Sequence, residues 1–323
     1  MVMSQTPLRM SFFGGGTDFK DYYKEYGGFV ISACIDKYIY IIINDRNDDN
    51  IVLNYSEKEV VCKIEQIKHN IIREALKMVG IRNGIEITSI SDITAQGSGL
   101  GSSSAFTVGL LNALYRYKGV TMSPDQLAKL ACEIEIGILG NPIGKQDQYA
   151  VAFGGVKKYS FNKDDSVTVD DMLLDDNKLS DFNNVIMLFN TGITRKSSEI
   201  LGEQKEQISV NAEHLHTIKD IAKSSEQYFM SLNYRKLGDL LNISWQNKRL
   251  LANRISNREI DNIFEAGKRV GVYGGKLLGA GGGGYFLFLC PPNKQEDLKK
   301  ELGKYRIMPI RFTKFGTRIA YEN

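Results

Sequence analysis

The stretch GSGLGSSSAF, residues 97–106, constrains this chain more than any other. Three glycines and four serines fall in its first eight positions, and an apolar run follows at once. A flexible Gly/Ser linker would sit between polar neighbours. This stretch instead lies between a strand-like segment, GIEITSI, and the helix-like AFTVGLLNALYRYKG, closed by Gly119. Glycine permits positive φ and close backbone approach. A helix start offers free N–H groups and the positive end of its dipole. Alone, the stretch is either an anion site at a helix N-terminus or a tight strand–helix turn. It does not match GxxxxGK[ST], because it contains no lysine.

The surrounding pattern mixes strands and helices, which argues for an α+β fold in both halves. FVISACIDKYIYIIIND (29–45) reads as strand, NIVLNYSEKEVVCKI as further antiparallel strands, and 65–79 as helix. Ser123-Pro124-Asp125-Gln126 offers an N-cap, a proline at the first helical position and a capping-box glutamine, predicting a helix to about Leu139. GNPIG breaks it, and KQDQYAVAF starts a short new helix. GGVKKYSF and NVIMLFNTG read as strands flanking an acidic loop at 162–181. From Lys196 to about Val270 the pattern is helical, with breaks near Asn233 and Asn253, and a helix (294–303) and strand (307–313) close the chain. The expected domains are 1–180 and 181–323.

Composition removes several functions. Net charge is +3 with no basic block, so neither nucleic acid nor a membrane surface is a suggested partner. The four cysteines are far apart with no CxxC pair, which argues against a zinc site or a disulfide framework. No apolar run has the length of a signal peptide or a membrane span, so the default location is cytoplasmic. Only His69, His214 and His216 are present, so a Ser-His-Asp triad or a multi-histidine metal site is not expected. Chemistry is left to carboxylates, serines, lysines and backbone amides.

Three more clusters carry such groups. PLRMSFFGGGTDF combines Arg9, three glycines and Thr17-Asp18; Asp18 either meets sugar hydroxyls or caps a helix starting at Phe19. EIEIGILGNPIGKQDQ places Glu135 before a Gly/Pro bend and Asp147 after it, so two carboxylates can fold towards one point or simply decorate a surface turn. Lys145 is near enough in sequence to act on an aspartate. GKLLGAGGGGYFLF holds six glycines between Gly275 and Gly284, suiting close passage of backbone past another backbone or a ligand.

In this order the clusters resemble the GHMP small-molecule kinase superfamily, which includes galactokinases, homoserine kinases and mevalonate kinases. The resemblance covers nearly the whole chain: PLRMSFFGGGTD, GSGLGSSSA and KLLGAGGGG look like the family's three motifs. It implies a ribosomal-S5-like N-terminal domain and a ferredoxin-like C-terminal domain, with ATP between them and Mg2+ as cofactor. It also implies that the phosphates lie over Gly97, Gly99, Leu100, Gly101, Ser102, Ser103 and Ser104. Ser103 and Glu135 would hold Mg2+, Ser102 would donate to phosphate, Asp147 would be the base and Arg9 would face the transferred phosphate. Glu135, Gly140, Pro142, Gly144 and Asp147 fit the galactokinase pattern E-x-x-x-x-G-x-P-x-G-x-x-D without a gap.

One departure is informative. Galactokinases carry Gly-Glu-His before Thr-Asp, where this chain has Gly14-Gly15-Gly16, which argues against galactose. FFGGGTDF, GKQDQYA, NTGITRKSSEIL and GGKLLGAGGGGY look closest to the D-glycero-D-manno-heptose 7-phosphate kinase branch, with fucokinases as near relatives. That branch implies transfer to the anomeric C1 hydroxyl of a heptose 7-phosphate, feeding GDP-heptose synthesis. Gly16, Thr17 and Asp18 would then contact the sugar, and Arg195 and Lys196 its distal phosphate, with Lys248 and Lys276 as further candidates. Other acceptors, such as L-fucose, and a non-catalytic sugar- and ATP-binding sensor remain alternatives. The resemblance leaves room for a homodimer, and the adenine pocket, somewhere between about 50 and 100, has no clear marker.

Overall fold

A computed structural model describes residues 1–93, 97–194 and 196–323. Its spine is two antiparallel strands, β1 (Val2–Phe13) and β2 (Gly28–Asp45), joined through a glycine turn and the short helix α1 (Lys20–Tyr26). The β-branched and aromatic run of β2 suits a long pleated strand. Its first half pairs with β6 (Val156–Phe161) and its second half with β5 (Ile85–Ser91). β3 (Ile51–Asn54) and β4 (Lys58–Val61) form a hairpin that extends the sheet beyond β5. After a 3-10 turn at Ile64–Gln66, α2 covers Asn70–Val79, starting later than the pattern suggested. α3 (Ser102–Tyr117) is apolar on nearly every side and is accordingly buried against β1, where Ser4 Oγ donates to Gly109 O at 2.8 Å.

The capping box forms as expected. Ser123 accepts from Gln126 N and opens α4 (Pro124–Cys132). The helix does not run on to Leu139 as an α-helix: Glu133–Ile138 is a π-helical turn. One extra residue per turn rotates the side chains that follow, and such turns recur at functional sites. α5 (Gln146–Phe153) then leads into β6.

The expected acidic loop at 162–181 is a correction, because it contains β7 (Val167–Asp171) and most of α6 (Asp176–Asn183). Its acidic residues sit where acids stabilise ends and edges: Asp175 caps α6 by accepting from Lys178 N at 2.8 Å, and β7 is an edge strand beside β6.

The second sheet has the antiparallel order β11-β8-β10-β9, from β8 (Ile186–Asn190), β9 (Gly274–Leu277), β10 (Tyr285–Leu289) and β11 (Arg306–Met308). Between β8 and β9 run α7 (Ser197–Glu206), α8 (Ala212–Met230), α9 (Tyr234–Arg249) and α10 (Arg258–Val270), with α11 (Gln295–Glu301) later. The breaks near Asn233 and Asn253 occur, and a further one separates α7 from α8. A last strand, β12 (Arg318–Glu322), returns to pair with β1. Phe312 also bridges to Ile35. The end of the expected second domain, 181–323, therefore belongs to the first sheet. Among the described residues no helix is long and apolar enough to cross a membrane.

Candidate active site

A cleft of about 320 Å³ is lined by the 97–104 loop, β1, the glycine turn after it, the 141–147 bend, the start of α7 and β9. At its floor α3 begins without any side-chain cap, so its first N–H groups face outward. Ser103 Oγ, in the first turn, donates to Glu135 Oε1 at 2.8 Å. Gln148 Nε2 donates to Glu135 Oε2 at 2.7 Å. Glu135 is 0% exposed, and burial pushes its carboxyl above the usual carboxylate range, against the pull of those hydrogen bonds. The π-helical turn is what carries this side chain into the cleft.

The loop above is braced by the other half of the molecule. Gly99 and Gly279 both have positive φ, and their main chains cross closely. A Cβ on Gly99 would lie 2.5 Å from Leu278 O, and one on Gly279 would lie 2.4 Å from Gly99 Cα. Tyr285 N donates to Ser98 O at 3.2 Å. The glycine cluster at 279–284 is thus chiefly a backbone-to-backbone brace; of its residues only Gly279 and Ala280 line the cleft.

Arg9, 4% exposed, joins loop and carboxylate. Its Nη1 donates to Gly99 O at 2.7 Å. Its Nε donates to Asp147 Oδ1 at 2.7 Å, and its Nη2 donates to Asp147 Oδ2. This fork-to-carboxylate geometry fixes Asp147 in orientation. Asp147 keeps a side-chain exposure of 24%, so an incoming group can reach it.

Asp18, 1% exposed, lies beside them. It is not the cap of α1, whose N-cap is Phe19 without a side-chain bond. Its Oδ1 accepts from Gly16 N at 3.0 Å and Gln146 Nε2 at 3.1 Å, and its Oδ2 accepts from Gln146 N at 3.1 Å. Burial, with Asp147 adding repulsion, pushes its carboxyl up.

Several expected residues stand elsewhere. Thr17 is fully buried, and its hydroxyl donates to Gly14 O and Phe29 O and accepts from Phe29 N, so it holds the turn and does not line the cleft. Leu100 is in the core. Ser102 does line the cleft, but its Oγ bonds Ser98 Oγ at 3.0 Å within the loop. Lys145 reaches Asp165 Oδ1 at 2.7 Å, not Asp147. Lys196 is exposed and outside the cleft lining, and Arg195 lies outside the described residues. Lys248 and Lys276 do line the cleft, but Lys276 donates to Ser11 O and Phe12 O and Lys248 to Gly279 O. Burial pushes the Lys276 ammonium well below the ordinary lysine range. His69 caps α2, His214 meets Asn247 and His216 meets Tyr22.

The reading from sequence missed Ser11, Gln146, Gln148 and Gln204. Ser11 was findable, being two residues beyond Arg9 on a strand and therefore on its face. So was Gln204: Ser197, Leu201 and Gln204 repeat at helical spacing and all line the cleft.

Comparison with known proteins shows the family that carries this fold. The chain matches the GHMP kinases N terminal domain over residues 65–155 and the GHMP kinases C terminal domain over 225–306. It is 30% identical to D-glycero-alpha-D-manno-heptose 7-phosphate kinase of Campylobacter jejuni, with 98% of each chain covered. It is 25% identical to mevalonate kinase of Thermococcus sibiricus, again over 98% of each. A D-glycero-D-manno-heptose 1-phosphate kinase from Bacteroides thetaiotaomicron superposes with TM-score 0.83 at 25% identity, over 100% of both chains. A buried Glu–Ser pair at an open helix start, facing an Arg-clamped aspartate across a single cleft, is thus carried on the fold of a known group of enzymes, and the chain belongs to the GHMP kinases.

Proposed function

We propose that the chain is a sugar kinase that transfers the γ-phosphate of ATP to the anomeric C1 hydroxyl of D-glycero-D-manno-heptose 7-phosphate, giving the 1,7-bisphosphate. The observation that carries this reading is the convergence of Glu135 with Ser103, Asp147 with Arg9, and Asp18 on one cleft. The names of the heptose phosphate kinases among its relatives support the choice of acceptor.

The residues present suit Mg2+. Glu135 and Ser103 supply two hard oxygens, Glu135 has only neutral donors around its buried charge, and Mg2+ usually takes few protein ligands beside phosphates and waters. Bound there, the ion would neutralise charge on the β- and γ-phosphates. The first amides of α3 receive the phosphates, and the Gly279 brace keeps their loop from yielding. Asp147, aimed by Arg9, accepts the proton of the acceptor hydroxyl as the new phosphorus–oxygen bond forms in line with the breaking bond from the γ-phosphorus to the β–γ bridging oxygen, and ADP leaves. An anomeric hydroxyl is more acidic than an ordinary alcohol, so a carboxylate suffices. Asp18 orients the sugar.

On this reading the distal phosphate binds at the start of α7, whose Ser197 and Ser198 line the cleft, and Arg195, outside the described residues, is the candidate to supply a guanidinium. Arg195→Ala should raise KM for the sugar phosphate at least tenfold, by roughly 1.5–3 kcal/mol of lost charge-assisted bonding, and leave KM for ATP unchanged. An unchanged sugar-phosphate KM would move the phosphate elsewhere.

The direct experiment offers ATP with D-glycero-D-manno-heptose 7-phosphate, free heptose and L-fucose, and resolves products by ³¹P NMR. An anomeric phosphate made only from the 7-phosphate is expected. Turnover of fucose would change the acceptor. Nucleotide binding with no acceptor-dependent ADP release would favour a sensor.

A further inference from the structure

The cleft contains two polar atoms that the phosphotransfer steps leave unused. Ser11 Oγ and Gln146 Oε1 are buried and have no hydrogen-bond partner among the described residues. Three other side-chain atoms share that condition, on Gln148, Tyr234 and Trp245, but none of those residues lines the cleft. Orphaned buried polar groups are rare and costly to stability, so two in one cleft call for a reason.

Both are held in place. Ser11, 6% exposed, follows Arg9 by two residues and shares its face of β1. Its backbone is fixed by Lys276 Nζ, which donates to Ser11 O at 3.1 Å and to Phe12 O at 2.8 Å. Gln146 is anchored through Nε2 on Asp18 Oδ1, as its own backbone N is anchored on Oδ2. A carboxylate accepts, so the nitrogen end of the amide belongs on Asp18 and the oxygen end is left over. Gly15 lies between the two side chains: a Cβ there would be 3.5 Å from both Ser11 Oγ and Gln146 Nε2.

We propose that Ser11 Oγ and Gln146 Oε1 form a hydroxyl-reading pair, the Gln146 oxygen accepting from one hydroxyl of a polyhydroxylated acceptor and Ser11 bonding a second. The proposal rests on the sugar-kinase reading above and adds the selection of acceptor to it. A site built to bond hydroxyls rejects a molecule that lacks them, because its own buried groups then stay unpaired. An acceptor presenting a carboxylate to the Gln146 oxygen, beside the acid of Asp18, finds no donor at that end of the pair and is disfavoured. The glycine at position 15 gives a sugar ring the space to lie against both.

The test is calorimetric titration of D-glycero-D-manno-heptose 7-phosphate and, separately, of a non-hydrolysable ATP analogue into wild type, Ser11→Ala and Gln146→Met, with Tm measured on each. Ser11→Ala removes an orphaned hydroxyl, so Tm should hold or rise. Affinity for the sugar phosphate should fall about tenfold, the scale of one hydrogen bond, and affinity for the nucleotide analogue should not move. Gln146→Met should weaken sugar binding by at least as much. Unchanged sugar affinity in both variants, with wild type binding normally, would overturn the pair and leave the sugar-kinase reading standing. Loss of Tm together with weaker binding of both ligands would also overturn it, by making Ser11 structural. A wild type that binds the nucleotide analogue but no sugar phosphate would overturn both readings at once.

Discussion

Two carboxylates of the cleft are held in opposite ways. Glu135 is fully buried and bonded to neutral donors, among them the Ser103 hydroxyl and the Gln148 amide. Asp147 is partly exposed and gripped by a guanidinium. A buried charge without a countercharge is costly and takes up a cation readily. A carboxylate already neutralised by arginine has little use for one, and offers instead oriented lone pairs to an incoming hydroxyl. On the proposed reading, one sequence motif supplies a site suited to a cation and a site suited to a proton, and the partner of each acid distinguishes them.

The comparison breaks first at Asp147. Asp147→Asn should lower kcat by roughly 10²–10⁴-fold, the usual worth of a general base, with little change in the Kd for ATP. Single-turnover and equilibrium binding measurements would check this, and near-normal turnover would take the proton-accepting role from Asp147.

Glu135→Gln sharpens the other side. Activity should fall sharply and its dependence on Mg2+ concentration should shift, while the folded protein gains stability. The new amide keeps the Ser103 contact and, with the Gln148 amide turned to present its oxygen, the Gln148 contact, while it removes the buried charge. If about 1 kcal/mol is recovered, Tm rises by roughly 1–2 °C in a protein of this size. The sign with pH follows from the raised carboxyl of Glu135. The folded state keeps a proton that the unfolded chain gives up near pH 4, so this group's contribution is full below that pH and is lost as pH rises through its folded value. The Tm advantage of the variant should therefore be widest at neutral pH and close on acidification. An equal gap at pH 5 and pH 8 would show that the charge is not what costs stability.

The smallest effect is expected at Asp165. Its carboxylate takes Lys145, Lys24 and Tyr23, and so steadies the residue from which α5 and Asp147 start. The ion pairs are partly exposed, so Asp165→Asn should change kcat less than about threefold and Tm only modestly. A large fall in kcat with unchanged ATP binding would show that Lys145 tunes Asp147 after all.

What could be read in advance follows the same line between local and distant causes. The capping box at Ser123 and the long strand read at 29–45 depend on residues next to one another, and both are present, the strand starting one residue earlier. β12 was missed because Arg318–Glu322 is mostly exposed and becomes a strand only by pairing with β1, from the other end of the chain. β7 was hidden by its acids, which suit an edge. The π-helical turn at Glu135 has no local signature, since an ordinary α-helix satisfies the same residues. Within the site, the order of the four clusters located the cleft. Linear proximity misled twice: Lys145 stands two residues before Asp147 and turns away from it, and Thr17 adjoins Asp18 and points into the turn.

The crossing of Gly99 with Gly279 has a consequence for how this sequence can change. The obstacle each would meet on acquiring a side chain is the other segment's main chain, not a side chain that could be trimmed. No second substitution elsewhere can make room, because every residue carries the same backbone. The two positions are therefore locked as a pair with no compensating route out, and variation in a chain of this kind must flow around them, into the surfaces of the cleft that choose what is bound.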